Sequence, residues 1–130
     1  MNQGELKVRT KQFALRVIRM SDALPRKMTT DVLGRQLVRS ATSVAANYRS
    51  ACRAKSRADF ISKMGTVEEE ADESGLWLEL LEDAGLIPAK RLVQLRAEAD
   101  ALTAIAVSSI RTARARTANP QSAIRNPQSP

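Results

Sequence analysis

Residues 56–84 read SRADFISKMGTVEEEADESGLWLELLEDA, and this stretch decides the fold. Ser56 is a favourable N-cap with Asp59 three residues later, and Gly85 suits the left-handed position that ends a helix. Between them, apolar and small residues recur at alternating intervals of four and three, as in a coiled-coil seam. The members of this seam are Phe60, Met64, Val67, Ala71, Ser74, Leu78 and Leu81. The pattern predicts one long helix.

Similar spacing on either side of this stretch predicts three further helices. A first helix over residues 7–24 should end before Pro25, because a residue that precedes proline avoids the α region. A second, capped by Thr29 or Thr30, should run to about Lys55, and a fourth should run from Pro88 to about Ala115. The apolar stripes are Phe13, Val17, Met20 and Leu24 in the first, Leu33, Leu37, Ala41, Val44, Tyr48 and Ala51 in the second, and Leu92, Leu95, Ala99, Leu102, Ala106 and Ser109 in the fourth.

Four long helices with short links predict an all-α, antiparallel up-down-up-down four-helix bundle over residues 7–115. The chain has 130 residues, which suits one domain. Residues 116–130 contain three prolines, and NPQS at 119–122 recurs at 126–129. A polar repeat with prolines cannot hold a packed helix, so these residues are predicted to form a disordered tail.

The composition excludes several classes of function. The chain has no histidine, which removes histidine-based triads, histidine metal sites and di-iron bundles. Its one cysteine, Cys52, allows neither an internal disulfide nor a cysteine metal cluster. No apolar run is long enough for a membrane span, and the N-terminus lacks the apolar stretch of a secretory signal. Residues 7–19 could serve as a transit peptide or as a first bundle helix. We expect a cytoplasmic protein without cofactor or metal that is not an enzyme.

Charge is distributed unevenly along the chain. Lys and Arg number 21 against 14 Asp and Glu, a net charge of +7, yet residues 56–84 carry nine acidic and two basic groups. On a helical wheel the second helix presents a basic ridge opposite its core stripe, which could be a solvated face, a phosphate-binding surface or a contact with an acidic subunit. The candidate nucleic-acid-binding residues are Arg35, Arg39, Arg49 and Arg53 of the ridge, with Arg16 and Arg19 of the first helix.

The end of the third helix is apolar nearly all round, because Leu76, Trp77 and Leu80 lie outside its seam. Such a helix is buried on more than one side, which predicts a subunit interface; cover by the Ile87-Pro88 turn is the alternative. Glu69 and Glu73 are like charges one turn apart and need basic partners, from this chain or a neighbouring one. Without histidine, this acidic cluster is not predicted to hold a metal.

Polar residues border the core stripe of the second helix. Ser40, Ser43 and Asn47 are unfavourable inside a helix unless their side chains find partners, so we predict an inter-helix hydrogen-bond network. Gly75, inside the third helix, costs up to about 1 kcal/mol and indicates either a weak segment or a close approach of a neighbour.

Several of these stretches together resemble the four-helix-bundle family of the 23S rRNA intervening-sequence proteins. The second helix of that family resembles residues 36–48, QLVRSATSVAANY. The start of its third helix resembles residues 56–64, SRADFISKM. The later part of that helix resembles residues 69–74, EEADES, together with residues 77–81, WLELL. Phe13-Ala14 and Leu24-Pro25 are similar to its first helix, so the resemblance covers residues 7–110. Gly75 departs from it, since bulkier residues are common there.

The resemblance implies a bundle that assembles as a homopentamer. Some members are encoded within intervening sequences of ribosomal RNA genes, and most have no established role. A related branch is the accessory variability protein of diversity-generating retroelements, which works with a reverse transcriptase and nucleic acid. A reverse transcriptase is therefore an implied partner.

Residues and resemblance together lead to the hypothesis of a homo-oligomeric accessory protein that binds RNA or DNA with low specificity. Phosphate neutralisation would supply the affinity, with little reading of bases, because exposed aromatic side chains for stacking are lacking. The alternative is an oligomeric scaffold or protein-interaction module whose charged faces bind each other or a partner protein.

Overall fold

The computed structural model describes residues 1–118, and every regular element in this part of the chain is an α-helix. The helices are α1 (Gln3–Asp22), α2 (Met28–Ala51), α3 (Arg57–Asp83) and α4 (Ala89–Ala118). Each link between them has five residues, too few for anything but an antiparallel reversal. α3 packs against both α2 and α4, and α1 packs against α2 with few contacts to α4. The predicted all-α four-helix bundle is confirmed.

The core lies along α3, whose seven predicted seam residues are all buried. Side chains from all four helices meet there, among them Phe13, Leu37, Met64, Leu78 and Leu92, which are fully buried. The fourth-helix stripe is buried from Leu92 to Ala106, but Ile110 rather than Ser109 continues it. The predicted stripes therefore describe the core well, with small shifts towards the helix ends.

The first two helices differ from the prediction at their ends. α1 begins four residues early because the Asn2 side chain caps it, accepting from the Glu5 amide at 2.8 Å. It ends at Asp22 rather than Leu24, and α2 ends at Ala51 rather than Lys55. Neither Thr29 nor Thr30 is the cap of α2, since Thr30 lies in its first turn.

Lys27 is the N-cap residue of α2. The buried hydroxyl of Thr30 accepts from the backbone N–H of Lys27 at 3.2 Å and donates to the carbonyl of Pro25. Thr30 thereby holds the α1–α2 link against the start of α2.

The ends of α3 follow the sequence prediction. The Ser56 hydroxyl caps the helix by accepting from the Asp59 amide at 3.0 Å. Gly85 has φ +71°, while the amides of Gly85 and Leu86 donate to the carbonyls of Glu82 and Leu81. This is a Schellman motif, in which a left-handed glycine satisfies the last carbonyls of the helix.

α4 runs three residues beyond Ala115, to Ala118, so the first residues of the predicted tail are helical. The remainder of that tail, residues 119–130, lies outside the described residues.

A hydrogen bond between two serine hydroxyls joins α2 to α3 inside the core. Ser40 and Ser74 are both fully buried, and their Oγ atoms are 2.8 Å apart. The Ser74 hydroxyl can also donate to the Glu70 carbonyl at 2.9 Å, and that of Ser40 to the Leu37 carbonyl at 3.1 Å. Each hydroxyl has one proton, so the pair satisfies itself whichever of the two hydroxyls donates. The pair sets the register between the two helices.

Ion pairs on both flanks of α3 neutralise many of its carboxylates. Arg39 of α2 binds Glu70 at 2.9 Å and Glu73 at 2.7 Å. On the other flank, α4 contributes Arg96, which binds Glu82 at 2.7 Å and lies 3.7 Å from Glu79. The basic partners that the acidic helix was predicted to need therefore come, for these carboxylates, from the same chain.

Glu70 is the more enclosed partner of Arg39, because its side chain is 12% exposed against 42% for Glu73. Burial by itself raises the pKa of Glu70, but the Ser43 hydroxyl and the Arg39 guanidinium outweigh burial and hold that pKa below its ordinary value. The charged form of Glu70 thus stabilises the folded state.

We expect Glu70→Gln to flatten the acid side of the stability profile. Because the folded pKa lies below the ordinary 4.5, the stabilisation is present above pH 4.5 and is lost as pH falls through the lowered value. Urea unfolding at pH steps from neutral to below 4 would show it. Glu69→Gln, an exposed neighbour, is the control and should keep the wild-type profile. Parallel profiles of Glu70→Gln and wild type would contradict the assignment.

Gly75 is not required for a close approach of α4. A Cβ at this position would meet the Ala99 Cβ at 3.9 Å, an ordinary contact, and one at Gly65 would meet nothing within 4 Å. We expect Gly65→Ala and Gly75→Ala each to stabilise the fold by up to about 1 kcal/mol, through helix propensity alone. Gly85→Ala should destabilise it because of the positive φ. Thermal unfolding checks all three, and a loss of stability on Gly65→Ala would refute the argument.

Candidate nucleic-acid interface

The predicted basic ridge of α2 is divided by the structure. Arg35 and Arg49 are exposed on the helix surface, and neither pairs with a carboxylate within residues 1–118. Arg39 lies on the α3 side, held by Glu70 and Glu73. Arg53 lies beyond Cys52, the C-cap of α2, and so belongs to the α2–α3 link. Arg35 and Arg49 remain on the face towards α1.

Two clefts open between α1 and α2, and each contains one of these arginines. The corner cleft, where α1 turns into α2, has a volume of about 470 Å³. Three guanidinium groups line it, those of Arg26, Arg35 and Arg39, together with the carboxylates of Asp22 and Asp31. The cleft therefore carries both signs of charge with an excess of arginine.

Two features shape the corner cleft. Gly34 forms part of its lining, and a Cβ there would come within 3.2 Å of Leu24 Cδ1, so a side chain would crowd the α1–α2 corner. The Ser21 hydroxyl, also in the lining, is buried without a hydrogen-bond partner among residues 1–118. This hydroxyl is a hydrogen-bond donor without an acceptor at the edge of the cleft.

The lysine cleft lies at the other end of the same groove and has a volume of about 430 Å³. Lys7 and Lys11 of α1 and Arg49 of α2 line it, and its floor is Ala45 and Ala46. Lys7, Lys11 and Arg26 were not among the predicted site residues. The four-residue spacing of the two lysines was the available signal, but only the packing of α1 against α2 shows that they face Arg49.

Arg16 and Arg19 are not brought to this groove. Arg9 of α1 donates to the carboxylate of Glu98 on α4 from two nitrogens, each at 2.7 Å. Arg16 follows Arg9 by seven residues and therefore shares its face, on the α4 side of α1. Arg19 is exposed further round the helix. These two arginines do not join the α2 arginines in one site.

The apolar end of α3 contains two kinds of residue. Leu76 and Leu80 are 45% and 37% exposed, whereas Trp77 is half-buried and packs against the core. The Trp77 Nε1 atom is buried and has no hydrogen-bond partner in the described part of the chain. Glu69 is exposed near these residues, and Glu73 binds Arg39 of its own chain. The leucines thus form a small open apolar surface with acidic neighbours.

Two of the three residues of the predicted polar network reach α3. Ser40 crosses to α3 through Ser74, a partner that the sequence pattern placed in the apolar seam. The Ser43 hydroxyl bonds to the Glu70 carboxylate of α3. Asn47 reaches no further than Ser43, because it donates to the hydroxyl and carbonyl of that residue, both at 2.9 Å, within α2.

Within residues 1–118, no group of three Asp, Glu or Cys side chains converges to hold a metal ion. None of the described helices has the length and hydropathy needed to cross a bilayer.

This chain is similar to known proteins in sequence and in structure. Residues 5–108 match the family described as 23S rRNA-intervening sequence protein. A solved structure from Bacteroides thetaiotaomicron VPI-5482, a protein of unknown function from the S23 ribosomal protein family, is 32% identical with a TM-score of 0.79. The match covers 85% of this chain and 99% of that one. No curated protein matches the chain.

The family match includes residues of all four helices and most of the chain, close to the range 7–110 over which the sequence resembles that family. This chain therefore belongs to the family of the 23S rRNA intervening-sequence proteins.

Proposed function

We propose that the protein is a non-enzymatic, homo-oligomeric accessory protein of the cytoplasm that binds the phosphate backbone of nucleic acid with low sequence specificity. The observation that carries this proposal is the α1–α2 groove, where exposed, unpaired basic side chains line both ends. Phosphates that neutralise such side chains release counterions, which is the main source of sequence-independent affinity.

Charge separation between the helices supports this assignment. Four carboxylates of α3 lie on its flanks, where Arg39 and Arg96 bind them, whereas Glu69 and Asp72 are exposed. Residues 1–55, which form α1, α2 and their links, carry twelve Lys and Arg against three Asp and Glu. A polyanion is therefore attracted to the α1–α2 face and repelled by the outer face of α3.

Low specificity follows from the placement of the aromatic side chains. Phe13, Tyr48 and Phe60 are buried in the core, and Trp77 is half-buried on α3, away from the groove. Stacking on bases is thus not available at the groove, and contacts to phosphates remain.

The second candidate function is a scaffold whose surfaces bind a partner protein or further copies of the chain. The exposed Leu76 and Leu80 favour it, because two adjacent leucines on an outer helix face lose water on association. Oligomerisation and nucleic-acid binding are compatible, since the leucines are on α3 and the groove is between α1 and α2.

We expect the double variant Arg26→Gln/Arg35→Gln to bind single-stranded RNA less tightly, by a similar factor for unrelated sequences. Each phosphate contact contributes about −0.7 to the slope of log affinity against log salt on single strands, so the slope should flatten by about 1.4 units. Fluorescence anisotropy at several salt concentrations measures it. Arg39 is left intact because its loss would also disturb Glu70 and Glu73.

Lys90→Gln/Arg91→Gln is the matched control, removing two exposed charges at the start of α4. If both double variants flattened the salt slope equally, the loss of RNA affinity would come from net charge and not from the groove. No RNA binding by the wild type at about 50 mM salt, where a phosphate-based site should bind strongly, would favour the scaffold.

We expect Leu76→Gln/Leu80→Gln to reduce the assembly to smaller species without loss of helical circular dichroism. The leucines contribute to association rather than to the core, so folding should survive their replacement. Light scattering of wild type and variant gives the number of chains, five by family resemblance. Val8→Gln is the control, because Val8 is an apolar residue of α1 that is more exposed than either leucine. A monomeric wild type at micromolar concentration would contradict the proposal.

A further inference from the structure

The lysine cleft differs from the corner cleft in the charges that line it. Among residues 1–118, carboxylates of the same chain engage several basic residues, including Arg9, Arg39, Lys63 and Arg96. Lys7, Lys11 and Arg49 have no such partner within residues 1–118, and no carboxylate is in the lining of the cleft. The corner cleft, in contrast, contains Asp22 and Asp31.

This arrangement is electrostatically unfavourable in the free protein. Lys7 and Lys11 are one turn apart on the same face of α1, where like charges destabilise a helix. The packing of α1 against α2 adds the guanidinium of Arg49 to the same cleft. An anion in the cleft would relieve the repulsion among all three cations.

The shape of the cleft also suits a phosphate group. Ala45 and Ala46 provide a floor of methyl groups, which leaves room between helices whose axes pack about 8–10 Å apart. Long lysine and arginine side chains can lie along the apolar walls and bring their charged ends over the floor. A concave site with low-dielectric walls concentrates the field of its charges.

We infer that the lysine cleft is a phosphate-binding site formed by Lys7, Lys11 and Arg49 over the Ala45-Ala46 floor. Under the proposed function, on which this identification of the ligand rests, the phosphates belong to the backbone of a single strand. Arg49 and Arg35 are fourteen positions apart, which is about 21 Å along α2 at 1.5 Å per residue. A flexible strand that lies along the groove can therefore reach both clefts.

The experiment observes the floor of the cleft directly. The full chain is labelled at its alanine methyl groups, and the resonances of Ala45 and Ala46 are assigned with single Ala→Ser variants. Sodium tripolyphosphate and an unstructured uridine-rich RNA are titrated separately. We expect both probes to shift these two methyl resonances, while that of Ala104, exposed on α4, stays unchanged.

Two variants separate a built site from general charge. Lys7→Gln/Lys11→Gln should abolish the tripolyphosphate shifts and flatten the RNA salt slope by about 1.4 units, whereas Lys90→Gln/Arg91→Gln should do neither. Ala46→Leu retains all three cations but fills the floor. It should therefore weaken tripolyphosphate binding, which a merely charged surface would not show.

The possible failures of the inference and of the proposed function are distinguishable. RNA binding without shifts of the Ala45 and Ala46 methyl resonances overturns the inference. The proposed function would then depend on the corner cleft. Tripolyphosphate shifts that require Lys7 and Lys11, with no RNA binding at low salt, support the phosphate site and overturn the nucleic-acid function. Absence of shifts with both probes overturns the inference.

Discussion

The structure depends on the burial of α3 between α2 and α4. Its seam of seven residues is buried along its whole length, from Phe60 near the start of the helix to Leu81 near its end. Apolar surface removed from water supplies the main favourable free energy of such a bundle. α1 is the least attached helix, because it packs mainly on α2 and has few contacts with α4, to which the pair of Arg9 with Glu98 joins it.

Burial of this seam determines where the charges of α3 lie. Its carboxylates occupy the flanks and the outer face, since the inner face is apolar. On the flanks, arginines of α2 and α4 bind these carboxylates. The buried Ser40–Ser74 pair keeps α2 in register with α3. Acidic α3 therefore uses basic residues of its neighbours for structure. Arg35 and Arg49, on the far side of α2, pair with no carboxylate of residues 1–118.

The distinction between paired and unpaired cations separates basic residues with a structural role from those that are available for binding. Arg39 looked equivalent to Arg35 and Arg49 on a helical wheel, yet its pairs with Glu70 and Glu73 give it a structural role. Arg35, Arg49 and the lysines of α1 have no such role in the described residues. The groove between α1 and α2 is thus the candidate surface for nucleic-acid binding. The exposed leucines of α3 are the candidate surface for oligomerisation.

The sequence by itself determined the helical class, the number of helices, the seam of α3, its Ser56 and Gly85 ends, and the family resemblance. These features depend on local periodicity and capping, which act over a few residues. Helix ends such as Asn2, Lys27 and Ala51 were missed, because competing caps have similar local energies and the links decide between them. Only the tertiary structure decided that Ser74 meets Ser40, that Arg39 is occupied, and that Lys7 and Lys11 face Arg49 across a cleft. The physical reason is that a single helix places side chains around one axis, whereas pairing and cleft formation depend on the rotation and register of a second helix.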